Sequence, residues 1–276
     1  MTRQATVLQQ NQIDDFWARG FLTVEELFSP AEVTALREAT ESEAIRGPQN
    51  ERGYAEHTVH LLELTVRHPL FMELAKNERI LSLIRPLIGN DIQLQHSKIA
   101  SKPPAKDSGP YRWHQDFAFF PHSNTSLVAA MVMLDDSTPE NGCMQMVVGS
   151  HKLGLLDHHK NGVFSECQQS SLWADPAALA HITPRAGGIS IHHCLTLHGS
   201  PPNRSGQPRR GLVFQYRADN AYQFADTVFA DTGLVVSGQR RGKIRCEEGV
   251  FALPRRADDS DPFGGAWRQI GANVQY

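Results

Sequence analysis

The chain has 276 residues, 40% of them hydrophobic, with a formal net charge of −3 and a pI near 6.5. That is apolar material for one large domain or two small ones, and the balance of charge lacks the basic footprint of a nucleic-acid binder. Met1 to Ala5 shows no apolar leader, and no run approaches the roughly 18 apolar residues of a membrane span. The four cysteines, scattered without C-x-x-C spacing, read as reduced thiols of a cytoplasmic protein.

In chain order, the stretch around Asp14 to Trp17 reads as a short helix stopped at Gly20, with a short strand from Phe21. Ser29-Pro30-Ala31-Glu32 combines an N-cap serine, proline at the first helical position and a capping-box glutamate. Val33, Leu36 and Ala39 then recur at helical spacing, with Gly47-Pro48 as the stop. Asn50 to His60 is polar and without period. The apolar spacing from Leu70 to Ile88 predicts one core-facing helix closed by Gly89-Asn90.

From Ile92 the texture changes. Ile92 to Ile99 alternates as a strand does, and Lys102 to Pro110 is a loop. Leu127 to Leu134 is an apolar run of strand length, expected to be buried on both faces. Asp135 to Gly142 is turn chemistry, and Met144 to Val148 is a strand ended by Gly149-Ser150-His151. Residues 152–180 are irregular, a length typical of a lid or binding loop. Ile189 to His193 and Gly211 to Arg217 are further strands; Arg240-Arg241-Gly242-Lys243 in the mixed tail is an exposed turn. Short strands with such turns predict a mainly β fold, a sandwich or jelly roll with flanking helices.

The chemistry gathers around Trp113-His114-Gln115-Asp116-Phe117. In an extended segment side chains alternate, so His114 and Asp116 would point to one side. With His198 they would make two histidines and one carboxylate, a facial set that leaves other metal positions open. His192 and His193 are alternatives to His198, and His192 shares its parity. An exchangeable co-substrate needs its far end held, and Arg209, at the start of a strand eleven residues after His198, could grip a carboxylate with its fork. Arg210 is the alternative, because neighbours on a strand face opposite ways. His96, Lys98 and Ala100 share a parity; if that face is inward, Lys98 needs an anion. Parity also puts Phe120 on the metal side, while His122, His151, His158 and His159 read as structural or surface residues.

Taken together, His114-x-Asp116, the run Asn141-Gly142-Cys143-Met144-Gln145-x-Val147-x-Gly149-Ser150-His151, and His198-Gly199-Ser200 with Arg209 resemble the phytanoyl-CoA dioxygenase family over residues 14–220. The resemblance implies an oxygenase dependent on Fe(II), 2-oxoglutarate and O2, with a double-stranded β-helix (jelly roll, cupin-like) core. It implies one domain over residues 1–276: a helical part at 1–90, the core at about 91–220 and an extension at 221–276. By position it makes His114, Asp116 and His198 the iron ligands and the iron centre the only catalytic group. Arg209 becomes the partner of the distal 2-oxoglutarate carboxylate, Ser200 its helper, and Gln115 a flanking residue. Halogenating members lack the carboxylate that Asp116 provides, so hydroxylation of a C–H bond is expected, with release of succinate and CO2.

The expected substrate is a small, charged metabolite: an aminoethylphosphonate-type or ectoine-type compound, or a natural-product intermediate. Lys98, Phe120 and His96 are the residues expected to face it. An acyl-CoA substrate of the phytanoyl-CoA type is one alternative, and a metal-binding protein or cupin-like isomerase is another. No nucleic-acid or membrane partner is expected, and the assembly is a monomer or homodimer.

Overall fold

The computed structural model describes residues 7–46, 59–104, 110–161, 163–225, 227 and 229–254. Its first part holds α1 (Gln10–Arg19), β1 (Phe21–Val24), α2 (Pro30–Thr40), α3 (Glu43–Arg46), β2 (Val59–Leu62), α4 (Leu64–Arg67), α5 (Pro69–Ala75) and α6 (Glu78–Ile88). Next come β3 (Ile92–Lys102), β4 (Tyr111–His114), α7 (Asp116–Phe119), β5 (Leu127–Met133) and β6 (Met144–Val147). The chain continues through a small hairpin, β7 (His159–Lys160) and β8 (Val163–Phe164), to β9 (Leu179–Ile182) and β10 (Ile189–His193). It ends with β11 (His198–Ser200), β12 (Arg209–Ala218) and β13 (Leu234–Ser237).

Local chemistry explains most of the helix ends. Gly20 stops α1 at φ 91°, a left-handed conformation that glycine alone takes cheaply. Ser29 and Glu32 close the capping box on α2, and Pro30 sits in its first turn. α2 ends at Thr40, earlier than its period suggests, and Gly47-Pro48 lies outside the described residues. The helix expected from Leu70 to Ile88 is two helices. Asn77 interrupts it by accepting from the Arg79 backbone N–H at 2.9 Å, which makes it the N-cap of α6. β2 emerges partly from the stretch without period and pairs with β3.

The strands form two antiparallel sheets. The larger runs β1-β10-β5-β12-β3-β13, with β2 also on β3; the smaller runs β4-β11-β6-β9. This is the double-stranded β-helix architecture. β5 is buried on both faces: Val128, Ala130 and Val132 join the main core with the helices, while Ala129, Met131 and Met133 face the other way. On β12, Leu212, Phe214 and Tyr216 likewise join the helical core, and Arg209 and Val213 line a cavity on the inner face.

β3 reaches that same division through a bulge. Gln215 pairs with His96 but Tyr216 pairs with Leu94, so one residue of β3 is extra and the parity flips there. Before it, Ile92 and Leu94 face the helices; after it, Ile99 does, and Lys98 and Ala100 line the cavity. The expected alternation therefore becomes burial along the whole strand.

The described part of residues 152–180 packs against β4 and α7. Trp173 stacks on Trp113 at 5.2 Å, Phe164 meets Phe119 edge-on at 4.8 Å, and the Cys167 N–H donates to the Trp113 carbonyl at 2.9 Å. Their aromatic rings are thereby removed from water against β4 and α7. None of the described residues in this segment lines the cavity. Among the described residues, no helix is long and apolar enough to cross a membrane.

Candidate active site

The cavity between the two sheets has an empty volume of about 480 Å³. Along its small-sheet wall, register sets two cross-strand pairs: His198 opposite His114, and Ser200 opposite Tyr111. All four residues line the cavity, as do Lys98, Asp116, His192 and Arg209. A wider open groove, about 1070 Å³, lies between α1, β1 and β9, but it contains no group of metal-ligating side chains.

The donor atoms of His114, Asp116 and His198 lie within 4.8 Å of one another, the one such group among the described residues. His114 Nε2 is 3.8 Å from Asp116 Oδ1, and His198 Nε2 is 3.9 Å from the same oxygen. Each ring is oriented by its other nitrogen: His114 Nδ1 donates to the Arg112 carbonyl at 2.6 Å and His198 Nδ1 to the Thr196 carbonyl at 2.9 Å. A carbonyl can only accept, so Nδ1 carries the proton and the Nε2 lone pair is free to bind a cation. Burial holds His114 down to about 4 and His198 well below the usual imidazole range, so both rings are neutral.

Asp116 joins them by a route that strand parity does not describe. β4 ends at His114, Gln115 is the last extended residue, and Asp116 begins the short helix α7. Burial opposes its ionisation. The hydrogen bond from His192 and the electrostatic influence of the surrounding His198 and Lys98 side chains more than offset that, holding the carboxyl well below its ordinary range. His192 Nε2 lies 3.1 Å from Asp116 Oδ2, the oxygen that His114 and His198 do not face. His192, weighed as an alternative ligand, thus meets Oδ2, while Oδ1 faces His114 and His198.

At the Tyr111–Ser200 end stands Arg209, 2% exposed, with Nη1 donating to the Gly142 carbonyl at 2.6 Å. Its Nε and the buried Ser200 hydroxyl have no hydrogen-bond partner among the described residues. A buried cation on the large-sheet wall and an open hydroxyl on the small-sheet wall fit a carboxylate between them, as three converging donors fit a first-row dication. Arg210 faces the other way and is bound at both ends of its fork by Asp135, at 2.9 Å each.

The remaining expected residues divide. Lys98 lines the cavity, with Nζ 5.1 Å above the Phe229 ring. His96 and Phe120 do not line it. His96 packs 5.4 Å from Phe120 and 4.7 Å from Phe229, and its Nδ1 bonds to Gln95. Phe120 turned away because α7 ends the extended geometry on which its parity rested. Gln115 is also off the cavity: its amide donates to the Gly154 and Leu195 carbonyls and accepts from the Leu156 N–H, tying three loops together. His122, His151 and His158 bond to backbone carbonyls, at Phe120, Trp17 and Leu156, and stay outside the site. Lys102, read as the start of a loop, is the last residue of β3; it is fully buried and does not line the cavity.

The profile of the family described as Phytanoyl-CoA dioxygenase (PhyH) matches residues 16–211. The chain is 33% identical over 228 residues to a probable alpha-ketoglutarate-dependent hypophosphite dioxygenase of Stutzerimonas stutzeri, covering 75% of this chain and 78% of that one. It is 27% identical over 238 residues to the methylphosphonate hydroxylase of Gimesia maris, covering 82% and 87%. Among solved structures, EctD from S. alaskensis with bound Fe shares the fold at a TM-score of 0.67 and 20% identity, covering 88% of each chain.

Proposed function

The chain belongs to the phytanoyl-CoA dioxygenase family and is a 2-oxoglutarate-dependent non-haem iron dioxygenase; from that premise we propose which residues do the work. His114, Asp116 and His198 hold Fe(II), and Arg209 with Ser200 receives the distal carboxylate of 2-oxoglutarate. The observation that carries this reading is one cavity joining both ends: three donors converging within 4.8 Å, and a buried guanidinium with no carboxylate against it among the described residues.

Bound iron and 2-oxoglutarate would supply the oxidising chemistry, with decarboxylation to succinate and CO2 coupled to hydroxylation of the substrate. The protein's own part is positioning. Arg112 and Thr196 carbonyls fix the two imidazoles, and His192 holds the second oxygen of Asp116 away from the cation position. Met131, Met144 and Val213 line the wall and keep the space poor in water. Arg209 orients the co-substrate, so that its other end meets the donor cluster.

The substrate we infer is a small oxyanion or zwitterion of the phosphonate kind. Lys98 supports it, a buried cation on the cavity wall whose hydrogen bonds are unclaimed among the described residues. The relatives named for hypophosphite and methylphosphonate accord with an anion of that size. A cytoplasmic setting accords with four free cysteines.

Anaerobic titration with Fe(II) and 2-oxoglutarate tests the assignment: a weak visible charge-transfer band should appear only when both are present. Failure of the band to form would overturn it. A screen of phosphonates, zwitterions and acyl-CoAs for stimulated succinate release tests the substrate, and stimulation by acyl-CoAs alone would exclude the small-anion reading.

A further inference from the structure

Behind Arg209 lies a second buried basic side chain that the proposed chemistry leaves unused. Lys102, at the end of β3, is the cross-strand partner of Arg209, at the start of β12. Neither has more than 2% of its surface exposed. Like charges directly opposite on a sheet repel, and out of water the repulsion is poorly screened. The groups facing Lys102 are Arg209 from β12, Cys143 from the turn before β6, and the Tyr111 ring from β4, 5.3 Å from Nζ. Among the described residues, no carboxylate lies against either side chain. Lys102 Nζ donates to the Pro201 carbonyl, one residue past Ser200, and the two side chains converge on Gly142.

Gly142 itself shows how tightly the space is drawn. It sits at φ +73°, and a side chain there would collide with the Pro201 carbonyl and come within 3.0 Å of Lys102 Nζ. The turn chemistry of Asn141-Gly142 therefore also lets two basic side chains approach one point. In the free protein, burial first and then Arg209 push the Lys102 ammonium down to about 5, so at neutral pH the amine is uncharged. An arriving carboxylate reverses that balance.

We propose that Lys102 is a second cationic contact for the distal carboxylate of 2-oxoglutarate, and that it takes up one proton from solvent as the co-substrate binds. This rests on Arg209 being the co-substrate's anchor. Lys102 acts as a binding and positioning residue at the end remote from the donor cluster. Its amine becomes an ammonium with three N–H bonds, one kept on Pro201 and another turned toward the carboxylate. The sign of the linkage follows. The complex holds one more proton than the free protein, so affinity strengthens as pH falls from the bound-state pKa toward the free-state value near 5.

Isothermal titration of anaerobic Fe(II)-loaded protein with 2-oxoglutarate, in PIPES, HEPES and Tris at pH 7, reads that proton directly. Wild type should take up a fraction of a proton per co-substrate, read from the buffer dependence of the heat, and its Kd should rise with pH between pH 6 and 8, by at most about tenfold per pH unit. Lys102→Met should bind more weakly with almost no buffer dependence. Lys102→Arg, charged throughout, should bind without uptake. Wild-type binding that shows no buffer dependence, or Lys102→Met with undiminished uptake, overturns the proposal. No co-substrate binding in any buffer would instead remove the assignment of Arg209.

Discussion

The two sheets bring opposite electrostatic states to the cavity they share. From the small sheet come His114 and His198, neutral, each already bonded through Nδ1 to a carbonyl of its own chain. From the large sheet come Lys98 and Arg209 on the cavity wall, with Lys102 buried behind Arg209 on the neighbouring strand. The first set is complete without a ligand, and a dication merely occupies lone pairs that burial and backbone have aimed. The second set costs free energy until an anion arrives, because burial strips Lys98 and Arg209 of their hydration and leaves Lys102 an uncharged amine. Rigid preorganisation marks one end of the site, and stored electrostatic demand the other.

That contrast breaks most completely at Asp116, the anion between the two sets. Asp116→Ala should abolish 2-oxoglutarate-coupled succinate release and the charge-transfer band together; a variant that kept both would remove the carboxylate from the iron site. Next is Arg209→Ala. Losing one partner of a buried charge pair costs about 2–5 kcal/mol, or roughly thirty- to several-thousand-fold in 2-oxoglutarate affinity. Saturating co-substrate should restore much of the turnover. Arg210→Ala, whose fork is spent on Asp135, should leave that affinity almost unchanged, and the reverse result would exchange their roles.

Lys98→Met probes the other part of the large-sheet set. A hydrogen bond to a charged group contributes about 1.5–3 kcal/mol, so KM for the substrate should rise by roughly ten- to hundredfold with 2-oxoglutarate affinity retained. Equal losses for both would make Lys98 a co-substrate residue. The smallest effect belongs to His192, which touches the donor set from the opposite sheet. His192→Phe should weaken Fe(II) binding by roughly 10–100-fold, as loss of a supporting hydrogen bond does, with the band still forming at excess metal.

Much of this was legible in the chain. Gly20, the Ser29–Glu32 capping box and the apolar run of β5 announce themselves, because turn, cap and burial signals depend on residues close in sequence. His114, Asp116, His198 and Arg209 could be picked out by motif and spacing. What the sequence left open were choices between neighbours, His192 or His198 and Arg209 or Arg210, and these rest on which face of a strand meets which sheet. Register between distant strands and one bulge in β3 decide that. Asp116 reaches the site because β4 ends one residue before the turn into α7, and the same turn carries Phe120 away. Lys102 stands out only once β3 and β12 are paired, since burial opposite an arginine 107 positions away exists only in the folded chain.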